Sequence, residues 1–189
     1  MTSFTEPWAR RVDFVTGVMS NPDRRTVRRL SDMAWAFRDK EAVRRELERG
    51  DPIVYEVFEA LVPEVPGHLL ACTTVLYSGQ IGGEYYMTKG HYHVVRETAE
   101  TYLTLSGEGI LVLQREDGAA QTVPLRAGQL TYVPPLWAHR TVNTGDGPLI
   151  FFSVWPAHSG HDYATVERAG GFRRRVVARN GKPVVEAAE

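Results

Sequence analysis

The amino-acid sequence predicts an all-β protein, a sandwich or barrel of short strands preceded by a short, partly helical N-terminal extension. Three observations predict it. From Asp51 onward, short runs rich in β-branched and aromatic residues follow one another. Turn-forming groups such as Ser78-Gly79, Ala127-Gly128 and Gly145-Asp146-Gly147 separate many of them, at a spacing of roughly 8–12 residues. The first 50 residues lack this pattern and carry one helical signature instead.

The 189 residues suit a single domain, and 43% hydrophobic content is enough for a packed core. Residues 1–50 read as an extension packed on the barrel, and 51–189 as the barrel, closing with a C-terminal hairpin. Met1 to Pro7 is expected to be mobile unless it crosses to a partner subunit. In the extension, Asp39 to Arg49 reads as a helix. Asp39 caps it, Glu41 and Arg45 stand four apart, Ala42, Val43 and Leu47 mark an apolar side, and Gly50 ends it. The run Arg24-Arg25-Thr26-Val27-Arg28-Arg29 reads as a solvated charged face, because no aromatic residues interleave it.

Strands are expected over Pro52–Phe58, Leu69–Tyr77, Tyr85–Thr88, Thr101–Leu105 and Gly109–Gln114. They continue over Gln121–Leu125, Gln129–Val133, Arg140–Val142 and Leu149–Val154. The tail, Arg173–Val177 and Pro183–Val185 around Asn180-Gly181, has the form of a hairpin.

Composition excludes several functions. Lys plus Arg is 22 and Asp plus Glu is 23, a net charge of −1. That balance argues against a nucleic-acid binder working through bulk charge. Cys72 is the only cysteine, so neither an intramolecular disulfide nor a cysteine-based zinc site is available, and a small buried thiol is expected there. No apolar stretch reaches 18 residues and the N-terminus lacks a basic segment leading into an apolar one. A cytoplasmic protein without membrane partners is the expectation.

The chemistry concentrates in the histidines. In Gly90-His91-Tyr92-His93, residues two apart on a strand point to one face, so both imidazoles can converge on one ion. Glu100 follows after the six-residue connection Val94 to Ala99, and His139 lies further on. Three imidazoles and a carboxylate suit Mn, Fe, Ni, Co or Zn. Gly107 follows Glu100, and Gly128, Pro134, His139 and Asn143 form a second spaced series. This pair of patterns resembles the two cupin motifs. The resemblance implies a double-stranded β-helix, or jelly-roll, barrel with a metal in its lumen. Two positions depart from the general cupin pattern: the spacer before Glu100 is long, and Leu136 stands where the second motif usually has glycine.

Further segments narrow the resemblance. Val27-Arg28-Arg29-Leu30-Ser31-Asp32-Met33, Pro52-Ile53-Val54-Tyr55-Glu56-Val57, Thr73-Thr74-Val75-Leu76-Tyr77 and Thr88-Lys89-Gly90-His91-Tyr92-His93 are similar to the cupin-type (archaeal-type) phosphoglucose isomerases. So are Tyr132 to Asn143 and Gly160-His161-Asp162-Tyr163, and the resemblance runs from about residue 10 to residue 175. It implies His91, His93, Glu100 and His139 as ligands of one divalent ion per subunit (Fe, Mn, Ni or Zn). It also implies Tyr55, Thr74, Thr88 and the backbone of Gly90 as the phosphate pocket, and Tyr102, His161 and Tyr163 around the sugar. Trp155 stands where the family often carries tyrosine, which removes a hydroxyl from the substrate site. A homodimer is implied as well.

The chemistry of that reaction agrees with the residues. Interconverting glucose 6-phosphate and fructose 6-phosphate moves hydrogen between C1 and C2 through an enediolate. A metal would polarise the carbonyl, and a carboxylate can shuttle the proton. Glu100 is the candidate shuttle, with His161 and Tyr102 beside it; a metal-assisted hydride shift is the competing route. Phosphate is expected to be held by hydroxyls and backbone N–H groups instead of a Lys/Arg cluster; Lys89 and Arg140 beside the motifs could add charge, and an exposed or structural role is at least as open for each. Two other readings are weighed: an iron cupin dioxygenase using the same ligands, and a non-catalytic sugar-phosphate-binding cupin. Trp8, Trp35, Trp137 and Trp155 are expected in core or interface, His68 in an exposed loop, and His158 outside the pocket.

Overall fold

A computed structural model describes residues 6–188, so the expectation of mobility for Met1 to Thr5 falls outside the described residues. The chain opens with β1 (Arg24–Arg29), α1 (Leu30–Met33) and α2 (Lys40–Arg49). Then come β2 (Ile53–Ala60), β3 (Leu69–Leu76), β4 (Gln80–Ile81), β5 (Glu84–Tyr85), β6 (Tyr92–His93) and β7 (Glu100–Ser106). The next strands are β8 (Glu108–Gln114), β9 (Ala120–Arg126), β10 (Leu130–Val133), β11 (Ala138–Asn143) and β12 (Leu149–Pro156). β13 (His161–Asp162), α3 (Tyr163–Arg168), β14 (Arg174–Arg179) and β15 (Lys182–Ala187) complete it.

The main sheet runs β1-β2-β3-β12-β7-β10, and a second runs β11-β8-β9, with antiparallel pairing throughout. The all-β expectation holds, with the two sheets arranged as a jelly-roll barrel. Four connections carry the chain from one sheet to the other, β11 to β12 among them, and the first three turn on a positive φ. Gly107 (φ 80) joins β7 to β8, Gly128 (φ 83) joins β9 to β10, and Leu136 (φ 74) lies between β10 and β11. At Gly107 an added Cβ would lie 2.5 Å from Pro148 O, so only glycine fits that corner.

The run Arg24–Arg29 is where the structure corrects the sequence reading. It is not a free solvated face but the edge strand of the main sheet, paired with β2 from Arg24↔Glu59 to Arg29↔Ile53. Arg24 grips Glu59 through Nε and Nη2, both at 2.6 Å, and Arg25 Nε lies 2.6 Å from Glu56 Oε2. The carboxylates on the neighbouring strand are what let so basic a run pair as a strand.

α2 is closer to expectation. The Asp39 carboxylate accepts from Ala42 N at 2.8 Å and Gly50 N donates to Glu46 O at 3.1 Å. Arg44 bridges Glu41 and Glu48, more tightly than Arg45 reaches Glu41 at 3.6 Å. α1, α2 and the segment between them bury Leu30, Met33, Phe37 and Val43 in the cluster that holds Leu76, Leu111 and Leu149. The outward face of the main sheet is capped at one end by the N-terminal segment. There Met19 packs with Phe58, Val75 and Ile150, and Thr73 Oγ1 donates to Gly17 O at 2.6 Å. The tail is the expected hairpin, with Asn180 (φ 52) and Gly181 (φ 73) at its turn.

Candidate metal centre

Strand alternation decides which side chains reach the barrel interior. Arg24, Thr26 and Arg28 of β1, Tyr55, Val57 and Glu59 of β2, and Cys72 and Thr74 of β3 share one face. Phe151, Ser153 and Trp155 of β12 and Glu100 and Tyr102 of β7 continue it, and all of these line one cavity of about 420 Å³. His139 of β11, the stretch from Thr88 to His91, and His161 and Tyr163 close it. Its volume suits a small molecule.

At the deep end His91, His93, Glu100 and His139 bring one ligand atom each to within 4.8 Å of one another. A short bridge aligns two of them: His91 N donates to His139 O at 3.2 Å and His139 N to His91 O at 3.0 Å. Glu100 Oε2 lies 3.0 Å from His139 Nε2 and 3.3 Å from His93 Nε2. The other ring nitrogens are held from behind. His93 Nδ1 meets Thr98 Oγ1 at 2.8 Å, and His139 Nδ1 meets Trp137 O at 3.4 Å. That leaves Nε2 of both rings turned to the cluster, as metal-binding imidazoles require.

The residues fit a cation. Nε2 of His91 and Nε2 of His139 are buried without a hydrogen-bond partner, although His139 Nε2 is in close contact with Glu100. Two orphaned lone-pair donors beside a buried carboxylate are costly unless something positive sits between them.

The electrostatics agree. Burial, followed by the neighbouring His139, His161 and His93, drives His91 well below the usual imidazole range, so it is neutral at pH 7. Burial alone would raise the Glu100 carboxyl, but contact with His139 and His93 outweighs it and brings it to about 2. Burial lowers His161 and raises the Tyr102 and Tyr163 hydroxyls. It pushes the Cys72 thiol to about 12, so the buried thiol expected from the sequence stays protonated.

All the expected site residues gather here. Tyr55, Thr74, Thr88, Gly90, Tyr102, Trp155, His161 and Tyr163 line the cavity with three of the ligands, while His93 sits just behind the wall, 4% exposed. His161 stands 4.3 Å from the His91 ring, 5.6 Å from Trp155 and 5.8 Å from Tyr163. Trp155 is buried and its Nε1 has no hydrogen-bond partner. Gly90 takes φ 73 where an added Cβ would strike Phe172.

Sequence reasoning named Lys89 as one source of added charge but missed Arg24 and Arg28. Arg24, Arg28 and Lys89 all line the cavity. The signal was present: Arg24, Thr26 and Arg28 are two apart, the spacing of one strand face. Arg140 proves structural. It is buried, donates Nη2 to Lys89 O at 2.8 Å, lies 4.7 Å from the Phe172 ring, and is lowered by burial to about 10. Trp8 is half exposed, not core, and His68 is half-buried. His158 lies outside the cavity lining.

The chain is similar to known proteins over most of its length. A family profile described as glucose-6-phosphate isomerase (GPI) matches residues 27–188. A glucose-6-phosphate isomerase of Thermococcus litoralis is 48% identical over 183 residues, covering 97% of this chain and 95% of the relative. That of Pyrococcus horikoshii is 47% identical over 95% of this chain and 94% of its own. A bacterial one, from Sinorhizobium medicae, is 38% identical over 94% and 83%. Among solved structures, oxalate decarboxylase from Bacillus subtilis aligns at a TM-score of 0.44 and 23% identity, over 57% of this chain and 26% of that one.

Proposed function

The chain belongs to the glucose-6-phosphate isomerase family, and on that premise we propose that it is an aldose–ketose isomerase that interconverts glucose 6-phosphate and fructose 6-phosphate in the cavity described above. The observation that carries the reading is the pair of orphaned, buried Nε2 atoms of His91 and His139 facing Glu100 inside a cavity lined by hydroxyls.

His91, His93, Glu100 and His139 hold one divalent ion, Fe, Mn, Ni or Zn. When bound, it supplies Lewis acidity that polarises the sugar carbonyl. The chain's own residues do the rest. Glu100, ionised across the neutral range, takes the proton from one of C1 and C2 and returns it to the other. Both imidazole contacts fall on Oε2, so Oε1 is the oxygen not committed to a ring. His161, kept neutral by burial, exchanges a proton with a sugar hydroxyl, and the Tyr102 hydroxyl, protonated at neutral pH, donates a hydrogen bond beside Glu100. Tyr55, Thr74, Thr88 and the Gly90 backbone surround the phosphate, while Tyr163 and Trp155 pack on the sugar.

Metal-reconstituted protein is expected to convert fructose 6-phosphate to glucose 6-phosphate without taking up oxygen. Failure with every one of Fe, Mn, Ni and Zn in folded, loaded protein would overturn the reading, and oxygen uptake would favour a dioxygenase. Glu100→Gln should keep the fold and lower kcat by about 100-fold or more.

The same reading includes a cytoplasmic homodimer. No helix of the described residues is long and apolar enough to cross a membrane. Leu130 and Tyr132 on the edge strand β10 are 72% and 60% exposed, beside Leu103 in register on β7, an apolar stripe that a second copy would cover. Leu130→Glu should shift the species seen by sedimentation toward monomer.

A further inference from the structure

The cavity contains three cationic side chains, and they are not equivalent. Arg24 is neutralised in place, because Glu59, its partner in the β1–β2 register, takes both Nε and Nη2 at 2.6 Å. Glu100 belongs to the ligand cluster. Arg28 and Lys89 have no carboxylate among the described residues. Arg28 is paired in register with Tyr55, and both side chains line the cavity. Lys89 Nζ lies 5.3 Å from the Tyr163 ring and 5.9 Å from the Trp35 ring, held by aromatic faces and not by an anion. Tyr55, Tyr163 and Thr88 join them in the lining of the same cavity.

Two half-buried cations without a carboxylate partner, in a cavity they share with hydroxyls, form a site of net positive charge that favours an anion. A phosphate monoester carries about −1.5 to −2 at neutral pH, close to the sum of the two cations. A guanidinium presents paired N–H donors that match phosphate oxygens, whereas an ammonium acts as a point charge.

We propose that Arg28, with Lys89 in the lining of the same cavity, is the charge-bearing anchor for the substrate's phosphate, so that β1 contributes specificity for phosphorylated over neutral sugars. The inference rests on the isomerase reading but is tested apart from it. The hydroxyls and the Gly90 N–H then orient a group whose charge these two side chains balance.

Inorganic phosphate is the probe, titrated calorimetrically into metal-loaded and metal-depleted protein, alongside steady-state kinetics with fructose 6-phosphate. Arg28→Gln should weaken phosphate binding about tenfold or more in both preparations and raise KM at least as much, with a smaller fall in kcat. Arg28→Lys should recover part of the loss. Lys89→Gln should weaken binding severalfold and shallow its salt dependence, which keeps the proposal testable if Arg28→Gln fails to fold.

Unchanged phosphate affinity in folded Arg28→Gln would overturn the inference. A loss confined to metal-loaded protein would also overturn it, by placing phosphate on the metal. A wild type that binds phosphate through Arg28 but turns over no fructose 6-phosphate would instead sink the isomerase reading and leave the anion anchor standing.

Discussion

Arg96 Nη2 lies 2.7 Å from Asp162 Oδ2 and so joins the connection ahead of Glu100 to the segment that presents His161 and Tyr163. The same guanidinium donates to His93 O and sits 4.6 Å from the Tyr92 ring, while Arg96 O accepts from Leu136 N at 2.7 Å. Asp162 in turn caps α3 through Thr165 N at 3.0 Å. The long spacer noted in the sequence is therefore a tie between the ligand strands and the opposite wall.

Arg96→Ala is expected to loosen that wall. The pair is partly solvent-exposed, so its loss should cost about 1 kcal/mol of stability. KM should rise several-fold with metal content unchanged. Denaturant unfolding, metal analysis and kinetics on one preparation check all three, and a variant that loses its metal would show that Arg96 acts on the ligands instead.

Asp162 makes the tie pH-dependent. Chiefly through Arg96, its carboxyl is held at about 2 against 3.8 for the free group. A depressed folded-state value means the contribution is complete above the unfolded value and disappears as pH falls toward the folded one. Metal-depleted wild type should therefore lose stability relative to Asp162→Asn between about pH 4 and pH 2 and keep a constant difference above that range. Parallel urea midpoints for the two proteins through the acid range would contradict it.

Thr98→Val tests how the cluster is held. It removes the hydroxyl 2.8 Å from His93 Nδ1 but keeps the shape of the side chain. Metal affinity should fall about 10–100-fold with the fold intact. Competition against a chelator of known affinity measures it, and an unchanged affinity would leave the orienting contact to the Thr98 carbonyl, 3.2 Å from the same nitrogen, and remove the hydroxyl from that role.

Leu136 gives a prediction of opposite sign. It holds φ 74 with 51% of its surface exposed, at the position where the second motif usually has glycine. A left-handed conformation costs a leucine about 1–2 kcal/mol, and glycine is free of that strain. Leu136→Gly should leave the unfolding midpoint unchanged or raise it. A clear drop would mean that the exposed side chain packs on something in solution.

The sequence revealed the site better than it revealed the sheet. His91, His93, Glu100 and His139 were legible because period-2 spacing and the two glycine-marked series state their geometry directly. Long strands such as β3 and β12 announced themselves by β-branched content. β1 did not, because its identity depends on Glu56 and Glu59, more than 30 residues away, which neutralise two of its arginines. The two-residue strands β6 and β13 exist only as a tertiary pairing, His161↔His93 with Asp162↔Tyr92, and have no local signature. The identity of Trp155 was plain from the sequence, but only packing could show its indole N–H buried and unpartnered.

The order of strands in the main sheet bears on when the protein can work. β12 lies between β3 and β7, and without it the β7–β10 pair has no strand joining it to β1, β2 and β3. A ribosome making this chain has finished all four ligands by residue 139, yet the strand that seats Glu100 stays unanchored until residues 149–156 have emerged. A metal ion met before then would find four donors and no rigid geometry, so loading belongs after synthesis, when the last central strand has slotted home.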